Sequence, residues 1–197
     1  MSAAVRLLQE SIEPEILTVE MAEMRVSVRL TDTLAAFGLG ACVAVCIYDP
    51  TLKVAGLAHI VAPRQQSYTD AAAAKIAGRS PAKFADTAIP MLIDSIDRAG
   101  GRRTNLRAAI VGGAAIFGSI AGPSALPSGL EIGDRNITAT IEELTSHDIM
   151  LCGAAVGGNC GRTVMFRVCD GAVIVKPIGG EASVLTILSR ATGGVVV

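Results

Sequence analysis

Residues 42–63, "CVAVCIYDPTLKVAGLAHIVAP", restrict the fold more than any other stretch of the chain. Two apolar runs rich in Val and Ala meet at Asp49-Pro50, where Asp suits the first position of a type I turn and Pro the second. The pattern predicts a β-hairpin. If the turn is symmetric about the Pro50–Thr51 bond, residues whose numbers sum to 101 lie opposite each other: Cys42 with His59, Ala44 with Leu57, Cys46 with Ala55, Tyr48 with Lys53. Opposed residues hold their Cβ atoms about 4.5–5.5 Å apart on one face, so a thiol and an imidazole would meet there. A slip of one residue would turn His59 to the other face.

The rest of the chain supplies a sheet and helices for this hairpin to pack on. "ILTVEMAEMRVSV" predicts a strand or two ahead of it. Residues 64–79 are polar without a clean period and read as a surface loop. Ser80 and Pro81 open a helix with Phe84, Ala88, Leu92 and Ile96 on one face, kinked or split by Pro90 and stopped by Gly100 and Gly101. "AAIVGGAAIF" reads as a buried strand followed by a loop. A second helix is expected from about Asn136, with Asp134 and Asn136 as caps and Ile137, Ile141 and Leu144 inward. Strands follow at "DIMLCGAAV", "RTVMFRVCDG" and "AVIVKPI". The expected fold class is α+β, a single domain over residues 16–197 with helices on a sheet core, behind a flexible leader of residues 1–15.

Composition removes several function classes. The chain is 51% hydrophobic, 18% charged and 3% aromatic, with a net charge of −1. It lacks the concentrated positive face and the stacking rings that nucleic acid requires. Residues 108–126 are uncharged, but their glycines and Pro123 favour a buried strand and loop over a membrane span. Five cysteines without a CxxC pair fit a reducing cytoplasm, and Glu10, Glu13 and Glu15 interrupt any export signal. No His or Cys spacing fits a metal ligand set, and no cofactor motif is present.

The chemistry concentrates at "GLGAC", residues 38–42. Glycines at 38 and 40 permit a tight turn and close approach of a substrate. Gly40 and Ala41 then bring backbone to the reacting centre, with the amides of Ala41 or Cys42 aimed at a developing oxyanion. A neighbouring imidazolium lowers a thiol's pKa, and His59 is placed to hand a proton on to a leaving group. The same residues also suit a packed core, where cysteine is a small apolar side chain and a lone histidine a satisfied one. Spacing alone leaves both readings open. Lys83, Asp86, Thr87, Asn159 and Arg162 are candidate substrate contacts, with helix-start and turn geometry as the simpler account of each. His147 reads as a solvent-side residue, and Cys46, Cys152, Cys160 and Cys169 as packing.

The ordered set "GLGACVAVCIYDP", "VAGLAHIVAP", "KFADTAIPMLI", "AAIVGGAAIF", "IGDRN" and "GGNCGRTVMF" resembles the CheD chemoreceptor glutamine deamidases of chemotaxis, over about residues 24–180. The resemblance implies a β-sandwich-like core flanked by helices, similar to deamidating toxins. It implies a protein-glutamine glutaminase with no metal or cofactor, acting on the cytoplasmic helices of methyl-accepting receptors, and a CheC-type phosphatase as a partner. It assigns the nucleophile to Cys42 and the histidine to His59, working through a thioester. Two positions depart from the family pattern. The threonine that orients the histidine is replaced by Ala36, and the serine before the nucleophile by Ala41. The related toxins hold their imidazole by a backbone carbonyl instead, and three readings are therefore open: an active receptor glutamine deamidase; a weakened CheD-like module that binds phosphatase or receptor without turnover; and a thiol hydrolase of another amide or ester, receptor methyl esters included.

Overall fold

The computed structural model describes residues 13–65, 80–115, 132–191 and 193–195. Most of the predicted leader, most of the predicted loop of residues 64–79 and the loop expected after "AAIVGGAAIF" fall outside these residues. The described elements are β1 (Ile16–Thr18), β2 (Met24–Ser27), β3 (Thr33–Leu39), β4 (Val43–Asp49), β5 (Val54–Ile60), α1 (Ala85–Arg98), β6 (Arg107–Gly112), α2 (Ile132–Ser146), β7 (Met150–Val156), β8 (Arg162–Arg167), β9 (Ala172–Pro177) and β10 (Ser183–Ile187). They form one α+β domain. The ten strands make two mixed sheets, in the orders β1-β3-β8-β9-β10 and β2-β5-β4-β6-β7. Within them β1 runs parallel to β3 and β6 parallel to β7.

The predicted hairpin is the middle of the second sheet, and every residue of β4 and β5 is buried. Val43, Val45 and Ile47 pack with α1 and α2, while Ala44, Cys46 and Tyr48 pack against Leu34, Val164 and Phe166 of the first sheet. A strand covered on both faces has no solvent side to fill with polar residues, which is why the run is apolar throughout. Tyr48 ties the two sheets together: its hydroxyl donates to the Val168 carbonyl at 2.8 Å and its ring meets Phe166 edge-on at 5.9 Å.

Helix α1 buries Ala88, Leu92 and Ile96 of the predicted stripe together with Ala85, Ile89 and Ile93, and Phe84 lies just ahead of its first turn. It begins at Ala85, after a separate 3-10 turn at Pro81–Lys83, rather than at Pro81. Pro90 does not split it, because at the sixth helical position proline removes one hydrogen bond and the turns on either side remain joined. Helix α2 begins at Ile132, so Asp134 and Asn136 lie inside it and are not caps. Strands β3 and β10 lie outside the elements that the sequence pattern predicts. The first reads "TLAAFGL", where Ala and Gly blur the alternation that marks a strand.

Candidate active site

Strands β4 and β5 pair with residue numbers that sum to 103, not 101: Asp49 faces Val54, Cys46 faces Leu57 and Ala44 faces His59. The connecting loop is four residues long, Pro50 to Lys53, with Lys53 left-handed at φ 54°. Asp49 builds it by accepting the amides of Thr51 and Leu52 at 2.8 and 3.1 Å on one carboxylate oxygen and that of Arg102 at 2.8 Å on the other. Cys42 is therefore not directly opposite His59. The offset is two residues, however, and side chains alternate with period two, so both stay on the face turned toward the first sheet. Cys42 lies one residue past the last pair of the ladder, Val43–Ile60, and His59 one residue before it.

The main chain at residues 40–42 is fastened carbonyl by carbonyl. The Gly40 oxygen accepts from the Ala114 amide at 2.7 Å and the Cys42 oxygen from the Gly113 amide at 2.8 Å. The Ala41 oxygen between them accepts from the Asn136 side chain at 2.8 Å. In a trans peptide the N–H lies opposite the carbonyl, so the amides of Ala41 and Cys42 face away from these ties. Among the described residues no acceptor belonging to another residue takes either of them. Cys42 itself is half-buried, at the rim of the inter-sheet core.

His59 is 3% exposed. Its Nδ1 lies 3.3 Å from the Val19 carbonyl. A carbonyl only accepts, so Nδ1 carries the hydrogen and Nε2 keeps its lone pair. The Val19 amide in turn donates to Ala35 of β3 at 2.8 Å, and the His59 main chain bonds Ala22 and Glu23, each at 2.9 Å. The segment 19–23 thus grips both the backbone and the ring of His59. Ala36 is fully buried in the inter-sheet core and has no hydroxyl to offer.

Burial pushes the Cys42 thiol above the ordinary cysteine range. It also pushes the His59 imidazole below the ordinary histidine value, an effect opposed by the Val19 carbonyl and the Glu20 charge. The imidazolium expected to sharpen the thiol is thus absent at rest, because a buried site penalises both charged forms. The resting pair is neutral. Alkylation of Cys42 by iodoacetamide, followed by peptide mass spectrometry, is expected to climb only above pH of about 8.5. A rate already level at pH 7 would demonstrate a resting thiolate and overturn this electrostatic account.

Two of the remaining candidates make hydrogen bonds within the fold. Arg162 donates to the carbonyls of Gly112 and Gly157, at 3.2 and 2.8 Å, and so joins the ends of β6 and β7. Asp86 accepts the Gln65 amide at 3.1 and 3.0 Å. Lys83 and Thr87 are partly buried, and Asn159 and His147 are exposed. The residue that sequence reasoning misassigned is Asn136, which holds strand ends together instead of capping a helix. The backbone group it missed is the Val19 carbonyl. Among the described residues no cluster of His, Cys, Asp and Glu could hold a metal ion, and no helix is long and apolar enough to cross a membrane.

The chain is similar to a probable chemoreceptor glutamine deamidase CheD of Desulfitobacterium hafniense, 38% identical over 170 residues, which cover 86% of this chain and 98% of the relative. Residues 63–177 match the family model described as CheD chemotactic sensory transduction. The chain belongs to the CheD family. A probable CheD of Natronomonas pharaonis is 38% identical over 178 residues, 89% of this chain and 96% of the relative. The chemoreceptor glutamine deamidase CheD of Thermotoga maritima is 35% identical over 147 residues, 75% of this chain and 85% of the relative. The CheD model's match runs from the end of the hairpin through β9, beginning four residues after His59.

Proposed function

We propose that this chain is a protein-glutamine deamidase that converts glutamine side chains on chemoreceptor cytoplasmic helices to glutamate, with Cys42 as nucleophile and His59 as proton carrier. The observation that carries the reading is an imidazole held at Nδ1 by the Val19 carbonyl, leaving Nε2 free, on the same sheet face as a cysteine flanked by two available amides. The names of the relatives supply the substrate. The chain works in the cytoplasm, where receptor signalling helices lie, and a CheC-type phosphatase is its regulatory partner.

In the first half-reaction the Cys42 sulfur attacks the carboxamide carbon while His59 Nε2 takes the thiol proton, so no thiolate need exist beforehand. The carbonyl oxygen becomes an oxyanion facing the amides of Ala41 and Cys42. As the tetrahedral adduct collapses, the C–N bond breaks, the imidazolium gives its proton to the departing nitrogen, and ammonia leaves a thioester. His59 then deprotonates a water that attacks the thioester carbon. The C–S bond breaks, sulfur regains a proton, and glutamate is released. Because the base is a neutral histidine shifted downward by burial, the acid limb of kcat/KM is expected below pH of about 6.5.

Intact mass spectrometry of a receptor cytoplasmic fragment tests the reading directly, since each deamidation adds about one dalton. No mass gain on any receptor fragment, with partner binding intact, would favour the binding module instead. The observation that motivates that second reading is the buried methyl of Ala36. Ala36→Thr separates the two. With the Val19 carbonyl already orienting His59, the substitution is expected to change kcat by less than about threefold, whereas a module disabled by the missing hydroxyl would gain a hundredfold or so.

A further inference from the structure

The ladder between β4 and β5 ends at Val43 and Ile60. Past that pair the strands part, and the Val61 amide turns to the Lys83 carbonyl at 2.9 Å. Asn136 of α2 fills the fork. Its Nδ2 donates to the Ala41 carbonyl at 2.8 Å on one side and to the Val61 carbonyl at 3.1 Å on the other. Both partners only accept, so the amide nitrogen must face them. Its Oδ1 has no partner among the described residues, although the side chain is fully buried. The helix lies close enough to reach because residue 133 is a glycine: a Cβ there would run into the Gly113 carbonyl.

Of the three ties that fix residues 40–42, the outer two join main chain to main chain. The middle one alone depends on a side chain. It sets the plane of the Ala41–Cys42 peptide, and therefore the direction of the Cys42 N–H on the far side of that peptide.

We propose that Asn136 is a positioning residue of the acyl-transfer site: by holding the carbonyls of Ala41 and Val61 together, it aims the Cys42 amide at the oxyanion that forms when the nucleophile attacks a carbonyl. The inference rests on the Cys42 assignment above and does not depend on which carbonyl substrate is used. Among the described residues Asn136 hydrogen-bonds neither the Cys42 sulfur nor the His59 imidazole, so its removal affects chemistry that develops an oxyanion and spares chemistry that does not.

Two reagents separate these cases on one thiol. p-Nitrophenyl acetate acylates Cys42 through a tetrahedral oxyanion, whereas iodoacetamide alkylates it by displacement at a saturated carbon and forms none. Peptide mass spectrometry reads both at Cys42. In Asn136→Ala and Asn136→Leu, acylation is expected to fall by about tenfold or more while alkylation stays within about threefold, and receptor deamidation to lose kcat with KM unchanged. Should Asn136→Ala fail to fold, Asn136→Leu, which keeps the shape and removes both donors, carries the same comparison. An unchanged ratio of the two rates in a folded variant overturns the proposal. A ratio that falls while wild-type protein leaves receptor fragments unaltered would sink the receptor-deamidase reading and leave Asn136 standing. Normal deamidation by the variants would do the reverse.

Discussion

Cys42→Ala is expected to abolish the mass gain on a receptor fragment, lowering kcat/KM by about 10⁴-fold or more, because without sulfur there is no thioester and no route through it. Residual turnover would come only from amides and imidazole acting on water. The fold is expected to survive: Cys42 is half-buried at the rim of the inter-sheet core, and a methyl fits where the thiol stood. The melting temperature should therefore move by a few degrees at most, corresponding to about 1 kcal/mol or less. Cys160→Ala serves as the control, since that thiol sits in the 157–161 turn and its nearest acceptors are the carbonyls of Gly161 and Ile178. Full turnover in Cys42→Ala would remove the nucleophile from the mechanism altogether.

Gly112→Ala is expected to produce the largest loss of stability. Gly112 sits at φ 121°, a conformation that residues with a Cβ seldom adopt. A Cβ there would also be driven into the Cys42 carbonyl oxygen and would lie 3.3 Å from the Val43 Cα, and main-chain atoms cannot swing aside as a side-chain end can. Strain and collision together should cost about 3–5 kcal/mol, or roughly 6–20 °C of melting temperature in a chain of this size. Relief would come by pushing β4 and β6 apart just where residues 40–42 are tied to Gly113 and Ala114, so the surviving folded protein should also lose deamidation. A melting temperature within 2 °C or so of wild type would mean that the β6 end does not press on Cys42 as described.

The hairpin shows both what the sequence makes legible and what it hides. Asp49-Pro50 marks a turn unambiguously, and the apolar runs around it fix which elements pair. The length of the turn depends on Lys53 taking a left-handed conformation, which nothing about a lysine announces. Counting from the turn therefore misplaces the pairing by two, and only the even size of the shift leaves Cys42 and His59 on one face of the sheet. The place of Asn136 is hidden for a related reason. Within "IGDRN" a glycine looks like a helix boundary, so the polar residues after it look like caps, whereas Gly133 lies inside α2 and serves close packing. The Val19 carbonyl was invisible in principle, since every residue carries one. Likewise, the neutral resting state follows from burial, a property of the assembled sandwich that no spacing of residues expresses.

That carbonyl has a consequence for how the protein tolerates genetic change. An orienting threonine or aspartate can be erased by altering a single codon, but an oxygen of the polypeptide itself survives every replacement at position 19 that leaves the path of residues 19–23 in place. The vulnerability moves from letters to length: adding or removing one residue between Val19 and Glu23 would swing the grip away from the imidazole while leaving Cys42 and His59 untouched.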